Sequence, residues 1–486
     1  MNVAVVGCGY VGLVTGVCFA SLGHKVTGIE INEERADLIR VGSAPFHEPG
    51  LEEKLRDALE KKNFCVTSRM EDAVDADVIF LCVQTPMASD GRLNRNFLAD
   101  AARNLALALS ETGRRHVLVV RSTVTPGTTE DLVAPIVRAH NPMVVVASNP
   151  EFLREGSAVD DFMDPDRIVI GSNDPWAIEV LSELYAPLEP VMIHTTPSSA
   201  ELAKCTSNAF LATLISFSNQ IARIAEAVPG VEVEEVLSIL HKDRRLSPVV
   251  GDETISPGIL SYLKPGAGFG GACLPKDLSA LNHYASTVGE PAAMLQAAMD
   301  INETQPARLV SITKDALGEL KNRRVSVLGI AFKSGTDDLR ESPGLKIIDL
   351  FLGEGSEVTA YDPLVSDDAV TGLVEKGVTI TVNLEEAVKD ADACVIATRA
   401  NEFVALPELL PAIGNTRAIV VDGRRLLNPD AFENPLIYNA VGRSRREFPK
   451  PTKGSTARTS SPIFILASAA GWIDESAAGW IGQSFL

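Results

Sequence analysis

Residues 2–12, NVAVVGCGYVG, decide how the chain begins to fold. The apolar, largely β-branched run before Gly7 is typical of a buried strand, and glycines at 7, 9 and 12 have the spacing G-x-G-x-x-G that opens a helix. Such a turn lets a pyrophosphate rest on the helix N-terminus. Glu30, at the end of the next predicted strand, would accept hydrogen bonds from a ribose 2′-hydroxyl and repel a 2′-phosphate, which favours NAD over NADP. The alternative, a glycine turn needed only for packing, fits this strand–turn–helix context less well.

The same region resembles a membrane segment at first sight. Residues 3–23 carry no charge and contain a G-x-x-x-G spacing, as transmembrane helices do. No basic segment or cleavage-like site accompanies them, and the strand-like run stops at Gly7. We therefore expect a chain that does not enter a membrane and that works in the cytoplasm.

Counterparts of this beginning occur later in the chain. The matching stretches are 3–7 with 325–329, 23–27 with 355–359, and 73–77 with 387–392. In each half, strand-like apolar runs alternate with helical segments, which is typical of parallel sheets covered on both faces. The repeat predicts an α/β fold with two Rossmann-like, doubly wound parallel-sheet domains.

The segment between the two halves is predicted to be helical. Residues 198–228 have helical periodicity, with Ser198 or Ser199 as N-cap, and a second helical stretch covers residues 278–320. A chain of 486 residues suggests about three domains. The predicted plan is an NAD-binding domain (1–197), a central helical domain (198–315), a C-terminal Rossmann-like domain (316–445), and a linker and tail without a predicted role (446–486).

Composition excludes several classes of protein. With 45% hydrophobic and 22% charged residues the chain is an ordinary globular one. The net charge of −20 disfavours nucleic acid and anionic membrane surfaces as partners, while a local basic pocket could still take a small anionic substrate. The seven cysteines form no C-x-x-C pair, which predicts reduced thiols in an intracellular protein and no metal site.

Polar residues follow two of the predicted strands. Thr85 lies in VQTP (83–86) and Thr123 in STVTPGT (122–128). Ligands bind at the carboxyl edge of such sheets, although ordinary strand-terminating turns explain either stretch equally well.

Two further pairs of polar residues are four positions apart. If Glu151 opens a helical turn, Glu151 and Glu155 face one side and could act as acid and base on a hydroxyl, with a solvated helix face as the alternative. Lys204 and Asn208 lie in an otherwise apolar stretch, where polar groups need a partner or ligand. Together they could stabilise an oxyanion.

Residues 262–277, YLKPGAGFGGACLPKD, are the most informative segment. Four glycines predict a pliant loop whose amides can wrap phosphates. The loop ends at Cys273, with Lys276 and Asp277 within one turn. A helix start and an ammonium group lower the pKa of a thiol, which favours a nucleophile over a small core residue.

At this point the sequence resembles the UDP-glucose/GDP-mannose dehydrogenase family across nearly all of residues 1–443. The resemblance rests on residues 7–12, 48–51, 122–128, 149–156, 204–211, 268–277, 329–333 and 336–343. It implies two successive NAD-dependent oxidations of a sugar C6 alcohol to a carboxylate, through a cysteine thiohemiacetal and a thioester. It also implies that the C-terminal domain binds the nucleotide sugar and that the helical middle pairs two subunits into a homodimer or a higher homo-oligomer.

The resemblance also implies roles for individual residues. Its catalytic positions are Cys273 as nucleophile, Lys204 and Asn208 at the oxyanion, and Asp277, Glu151 and Thr123 for water and proton. Its dinucleotide positions, with the glycine fingerprint included, are Gly7, Gly9, Tyr10, Val11, Gly12, Glu30, Arg35, Thr85, Thr123, Glu155, Lys276 and Arg340. Its substrate positions are Glu151, Phe152, Leu153, Arg154, Glu155, Lys204, Asn208, Tyr262, Leu263, Lys264, Pro265, Gly266, Gly270 and Lys333.

Some positions depart from the family pattern. Leu214 and Arg35 stand where many relatives have lysine, Arg95 and Asn96 replace an aspartate-containing stretch, and residues 398–403 differ from the Thr-Glu-Trp-like run of UDP-glucose enzymes. Residues 165–171, PDRIVIG, are closer to UDP-sugar enzymes. UDP-glucose is therefore the favoured substrate. The alternatives are GDP-mannose, a UDP-N-acetylhexosamine, or a non-catalytic relative that only binds nucleotide sugars.

Overall fold

The computed structural model describes residues 1–365, 370–432 and 435–444. The predicted linker and tail, residues 446–486, lie outside these described residues.

The first part of the chain builds an eight-stranded sheet. Its strands are β1 (Asn2–Val6), β2 (Lys25–Ile29), β3 (Phe64–Thr67), β4 (Val78–Leu81), β5 (His116–Val120), β6 (Val144–Ser148), β7 (Ile168–Gly171) and β8 (Met192–Thr195). The helices between them are α1 (Tyr10–Ser21), α2 (Glu33–Arg40), α3 (Leu51–Glu60), α4 (Asn96–Ala108), α5 (Ala134–Arg138), α6 (Ala158–Met163) and α7 (Pro175–Tyr185). The strand order β3-β2-β1-β4-β5-β6-β7-β8 reverses direction at β1 and β4, as doubly wound sheets do.

Two strands of this sheet run against the expected direction. The neighbouring strands from β3 to β6 pair in parallel, but β7 pairs antiparallel with β6 through Gly171 and Ser148. β8 is parallel to β7. The prediction of a parallel doubly wound sheet is therefore confirmed for the first six strands and wrong for the last two. Antiparallel edge strands on a parallel sheet are common, and an apolar run carries no signal of its direction.

Helices connect the two halves, as predicted. They are α8 (Pro197–Ala227), α9 (Val233–His241), α10 (Leu274–Thr287) and α11 (Ala293–Leu317), with a small hairpin of β9 (Val249–Val250) and β10 (Glu253–Thr254) before α10. The N-cap of α8 is Thr196, whose side chain accepts a hydrogen bond from the amide of Ser199. The predicted caps, Ser198 and Ser199, lie inside the first turn instead, because Pro197 fits the first helical position.

The second predicted helical stretch is two helices. Gly289, with φ of +82°, follows α10, and Pro291 precedes α11. A left-handed glycine and a proline end and restart a helix.

The C-terminal part repeats the first architecture on a smaller scale. Its strands are β11 (Arg324–Leu328), β12 (Glu357–Tyr361), β13 (Thr379–Ile380), β14 (Ala393–Ile396), β15 (Ile419–Asp422) and β16 (Ile437–Ala440), and its helices are α12 (Pro343–Gly353), α13 (Thr371–Glu375), α14 (Leu384–Val388) and α15 (Leu406–Ala412). The order β13-β12-β11-β14-β15-β16 is parallel throughout. The internal repeat is confirmed, since β11, β12 and β14 occupy the places of β1, β2 and β4.

Both faces of the first sheet are covered by apolar side chains. Along β1, Val3 and Val5 belong to one core cluster, while Ala4 and Val6 belong to another. Because successive side chains of a strand point to opposite faces, β1 is buried on both sides. This explains why its sequence is continuously apolar. In the described part of the chain, no helix is both long and apolar enough to cross a membrane.

Candidate active site

The glycine turn after β1 is the first component of the site. Gly7 has φ of +90°, and a Cβ on Gly12 would lie 1.9 Å from the carbonyl oxygen of Gly7. Both positions therefore require glycine. Gly9 caps α1 without a side-chain hydrogen bond, and a Cβ on Gly9 would meet nothing within 4 Å. The helix N-terminus faces open space, which fits the pyrophosphate of a dinucleotide.

Glu30 lies beside this turn, as predicted. Its carboxylate is buried and accepts hydrogen bonds from the amides of Cys8 at 3.1 Å and Asn32 at 2.9 Å. Arg35 Nη1 lies 3.3 Å from Glu30 Oε2. An ionised carboxylate offers about four lone-pair sites, so Glu30 keeps acceptor capacity for a ribose hydroxyl. The residues around the turn thus fit NAD.

The strand ends at the carboxyl edge meet, as the sequence indicated. Thr85 Oγ1 donates a hydrogen bond of 2.8 Å to the carbonyl oxygen of Thr123. The loop after Thr123 is tied to the central helices, because the amides of Gly127 and Thr129 donate to the buried carboxylate of Glu201 on α8 at 2.7 and 2.8 Å.

Cys273 stands at the start of α10, as predicted, and its side chain is exposed. One turn further along, the carboxylate of Asp277 is fully buried and accepts hydrogen bonds from Asn208 Nδ2 at 2.6 Å and Lys276 Nζ at 2.5 Å. The pair of Lys204 and Asn208 on α8 thus faces the first turn of α10. The cysteine, the amide and both lysines are brought together by two packed helices.

The pKa of the Cys273 thiol differs from the expectation. Removal of water by the surrounding groups, and then the carboxylate of Asp277, raise the pKa of Cys273 to about 12, against the opposing effect of Lys204 and Lys276. The predicted lowering is therefore wrong, because the loss of hydration and the carboxylate of Asp277 outweigh the helix start and the ammonium groups.

The segment after β6 differs from the predicted helical turn. No helix forms at Glu151, and its carboxylate bends back to accept a hydrogen bond of 2.6 Å from the amide of Leu153. Glu151 and Glu155 face different partners rather than one side. Glu151 Oε1 lies 2.8 Å from Lys204 Nζ, and both side chains are buried. Although burial opposes the charge, the ammonium of Lys204 holds the pKa of Glu151 below its usual range.

Glu155 belongs to a second charged cluster, formed with residues of the C-terminal half. Arg340 Nη2 lies 3.3 Å from Glu155 Oε1, and Lys333 Nζ donates a hydrogen bond of 2.5 Å to the carbonyl oxygen of Glu155. Burial and the nearby carboxylate of Asp338 raise the pKa of Glu155 to about 7, against the two cations. The structure therefore joins Glu155, Lys333 and Arg340, which the sequence could name but not connect.

Two more residues of the predicted substrate segment have defined neighbours. The ring centre of Phe152 lies 4.0 Å from the guanidinium of Arg167 and 5.5 Å from the ammonium of Lys204. Arg154 pairs with Asp161 at 2.5 Å.

The glycine-rich loop before Cys273 is buried and packed rather than open. Three of its amides already donate to the protein: Gly266 to Asn219 Oδ1 at 2.8 Å, Phe269 to Asn302 Oδ1 at 2.8 Å and Gly271 to the carbonyl oxygen of Arg340 at 2.8 Å. A Cβ on Gly270 would lie 2.2 Å from the carbonyl oxygen of Glu341. The prediction that this loop wraps phosphates is wrong for those three amides. Its glycines allow close approach to residues 340–341 instead. Tyr262 ends a 3-10 turn before the loop; Leu263 and Pro265 are buried, and Lys264 is exposed.

Sequence reasoning missed Arg424. It follows β15 at the carboxyl edge of the second sheet, and its guanidinium donates to the carbonyl oxygens of Ala397 at 2.6 Å and Gly268 at 3.2 Å. Its buried Nη2 has no partner among the described residues. Burial, together with Arg399, lowers the pKa of Arg424 to about 10. The apolar strand followed by Gly423 and two arginines was the signal that could have found it.

A glycine turn that suits a dinucleotide, in a chain that also holds a cysteine near two lysines at a helix start, is typical of a dinucleotide-dependent oxidoreductase. Three domain models of the UDP-glucose/GDP-mannose dehydrogenase family match the chain in order: the NAD binding domain at residues 1–189, the central domain at 198–304 and the UDP binding domain at 326–429. The chain belongs to this family. It is an NAD-dependent nucleotide-sugar 6-dehydrogenase.

Individual relatives agree with this assignment. The chain is 38% identical to the UDP-glucose 6-dehydrogenase YwqF of Bacillus subtilis over 91% of this chain and 98% of that protein. It is 36% identical to the UDP-glucose 6-dehydrogenase AglM of Haloferax volcanii over 88% and 97%. Among solved structures, a UDP-glucose dehydrogenase from Pyrobaculum islandicum superposes with a TM-score of 0.83 at 37% identity, covering 91% of this chain and 98% of that one.

Proposed function

We propose that the protein oxidises the C6 alcohol of UDP-glucose to the carboxylate in two steps, with the sugar held covalently on Cys273 between them. The observation that carries the proposal is the set of charged side chains around Cys273. Lys204 pairs with Glu151, and Asp277 pairs with Asn208 and Lys276. The four charged groups among them all act electrostatically on the thiol. Bound NAD supplies the hydride acceptor for each oxidation.

Lys204 and Asn208 position the oxygen on C6. An ammonium has three N–H donors and an amide two, and the bonds to Glu151 and Asp277 each use one. The remaining donors can hold the C6 oxygen as negative charge develops on it. In the first oxidation the alcohol loses a hydride from C6 and a proton from its hydroxyl, which gives an aldehyde.

Cys273 then captures the aldehyde. The high pKa of the thiol means that its proton must leave as sulfur attacks, and the carboxylate of Asp277 next to it is the proposed acceptor. Sulfur bonds to C6 to give a thiohemiacetal. Loss of a second hydride from C6 gives a thioester.

Water hydrolyses the thioester. Glu151, whose lowered pKa keeps it ionised near neutral pH, and Asp277 are proposed to orient and deprotonate this water, together with Thr123. The C6–S bond breaks, the thiol regains a proton and the carboxylate leaves. In total one alcohol, two NAD and one water give one carboxylate, two NADH and three protons.

UDP-glucose is proposed as the sugar nucleotide on two grounds. The C-terminal domain matches the family's UDP binding domain, and residues 165–171 match the UDP-sugar pattern. Arg167 of that segment stacks on Phe152, whose ring also lies near Lys204. The segment therefore contacts a residue that is proposed to bind the substrate.

The closing experiment is a count of NADH. With limiting UDP-glucose and excess NAD, the reaction run to completion should give two NADH and one uronate per sugar, and an aldehyde-trapping reagent should capture nothing. GDP-mannose and a UDP-N-acetylhexosamine serve as competing substrates. One NADH per sugar with trapped aldehyde would contradict the covalent mechanism, and a complete lack of NADH with every sugar would favour a binding relative.

A homodimer through the central helices is also proposed. Phe210, Phe217 and Ile224 recur every seven residues along α8 and are 54, 45 and 52% exposed. A row of large apolar side chains on one helix face suits pairing with a second copy. The molar mass in solution tests this, and a monomer at micromolar concentration would contradict it.

A further inference from the structure

We propose that Glu48 is a positioning residue that couples NAD binding to nucleotide-sugar binding through one peptide group. The proposal rests on the proposed function, since it takes the segment around Glu155 as part of the sugar-nucleotide site. Glu48 belongs to the EPGL motif (48–51), which the chemistry described above does not use.

The carboxylate of Glu48 joins two separate segments. It is buried, 5% exposed, and accepts a hydrogen bond from the hydroxyl of Tyr10 in the dinucleotide turn. The same oxygen accepts from the amide of Gly156 at 2.7 Å, and the other oxygen accepts from the amide of Ala158 at 2.7 Å. One side chain therefore holds both the residue that opens α1 and the segment that follows Glu155.

The peptide group between Glu155 and Gly156 extends this connection. Its N–H donates to Glu48, while its carbonyl oxygen accepts from Lys333 Nζ at 2.5 Å. A peptide group is planar and rigid, so its two ends cannot adjust independently. A continuous series of hydrogen bonds thus runs from Tyr10 through Glu48 and this peptide to Lys333 of the C-terminal half.

This arrangement can transmit binding from one ligand to the other. A ligand that draws Lys333 or residues 151–155 into place also fixes the peptide, and through Glu48 it fixes Tyr10 at the NAD turn. The second ligand then meets a turn that is already ordered, which appears as mutual tightening of affinity. A purely structural role, capping the short helix α6 through Ala158, would affect stability but not this coupling.

The test uses a ternary complex that cannot react. NADH and UDP-glucose together lack a hydride acceptor, so NADH fluorescence can be titrated with and without saturating UDP-glucose. In the wild-type protein we expect UDP-glucose to tighten NADH binding by a measurable factor. In Tyr10→Phe this factor should fall by about two- to tenfold, the effect of losing one hydrogen bond.

Tyr10→Phe is chosen because it should fold. It keeps the ring that packs against Phe46, with centroids 5.0 Å apart, and removes only the hydroxyl. Glu48→Gln is the second variant. A glutamine amide has one oxygen and one NH2 group, so its NH2 group must face at least one of the donors that now bind the two carboxylate oxygens. Glu53→Gln, an exposed carboxylate on the neighbouring helix α3, is the matched control and should keep the wild-type factor.

Each outcome has one meaning. The coupling is overturned if UDP-glucose tightens NADH binding equally in wild type and Tyr10→Phe, or if it does not tighten it in the wild type. This holds even if Tyr10→Phe binds NADH more weakly both with and without UDP-glucose. Turnover of NAD with UDP-glucose is measured separately. A wild type that turns over UDP-glucose but shows equal factors contradicts Glu48 coupling alone, whereas absence of turnover contradicts the proposed substrate.

Discussion

The two sheets begin with the same turn and use it differently. Gly7 after β1 and Gly329 after β11 both have positive φ, and each amide donates to the end of the next strand, to Ile29 at 2.8 Å and Tyr361 at 2.7 Å. A carboxylate follows in both: Glu30 accepts from the amide of Cys8, and Asp362 accepts from the amide of Ile330 at 2.8 Å.

The difference is what stands before the helix. In the first turn only residues 7–9 separate strand from helix, and Gly9 leaves α1 uncapped. In the second, residues 329–342 intervene, and Ser342 caps α12 by accepting from the amide of Gly344 at 3.0 Å. The first helix end is open to a phosphate, while the second is already satisfied by its own chain.

The longer second turn has a different task. It carries Lys333 and Arg340 across to Glu155, and Phe332 against Gly271 beside Cys273. The same kind of turn thus leaves a helix end open for the dinucleotide in the first half and reaches Glu155 and Gly271 in the second. In the proposed mechanism the nucleophile Cys273 and the oxyanion residues Lys204 and Asn208 lie on neither turn but at the start of helix α10 and on helix α8 between them.

The largest effect is expected from a variant that loses the nucleophile at the start of α10 but keeps both glycine turns. Cys273→Ser should bind NAD and UDP-glucose normally, yet form uronate about 10³-fold or more slowly, because an alcohol is a much weaker nucleophile than a thiolate. Uronate formed per minute measures this. Cys65→Ser, at an exposed cysteine on β3, is the control; equal turnover by Cys273→Ser would remove Cys273 from the mechanism.

Glu30 of the first sheet and Asp362 of the second should differ in their effect on the choice between NAD and NADP. Wild-type protein should prefer NAD over NADP by about 100-fold in kcat/KM, since repulsion between Glu30 and a 2′-phosphate, partly offset by Arg35, is worth about 3 kcal/mol. Glu30→Ala should reduce the preference to about tenfold or less. Asp362→Ala should leave the ratio unchanged; a change there, or none in Glu30→Ala, would reverse the roles given to the two sheets.

The open helix end can be closed by one methyl group. Gly9→Ala fits the protein, because a Cβ there meets no atom within 4 Å, but it fills the space assigned to the pyrophosphate. NAD affinity measured by calorimetry should fall about tenfold or more, at least 1.4 kcal/mol, with unchanged thermal stability. Gly353→Ala, on α12 with equally open space, is the control, and unimpaired NAD binding by Gly9→Ala would place the phosphates elsewhere.

The capped helix should show the opposite pattern. Ser342→Ala removes the cap of α12 and should lower the free energy of unfolding by about 0.5–2 kcal/mol, measured by urea titration, while NAD affinity stays the same. Ser286→Ala, at an exposed serine of α10, serves as comparison. Loss of NAD affinity in Ser342→Ala would mean that the second turn also takes part in cofactor binding.

Local patterns predicted the glycine turn, Glu30 and the position of Cys273 at a helix start, because each depends on a few neighbouring residues. The second sheet was predicted because stretches of the first half recur in the same order in the second half. Contacts between distant segments were beyond such patterns. Three features depend on how helices and sheets pack: the pairing of Glu151 with Lys204, the reach of Lys333 to Glu155, and the loss of hydration that, with the charge of Asp277, raises the pKa of Cys273.

The long helix α8 connects distant parts of the molecule. At 31 residues and 1.5 Å per residue it is a rod about 46 Å long. Near its start it holds Glu201, Lys204 and Asn208, and near its end Glu226 accepts from the amide of Gly442 in the C-terminal half. A tilt of about 5° at one end would sweep the other end through about 4 Å. The rod therefore ties residues of the first half to the C-terminal half, so that a small change of tilt at one end is amplified at the other.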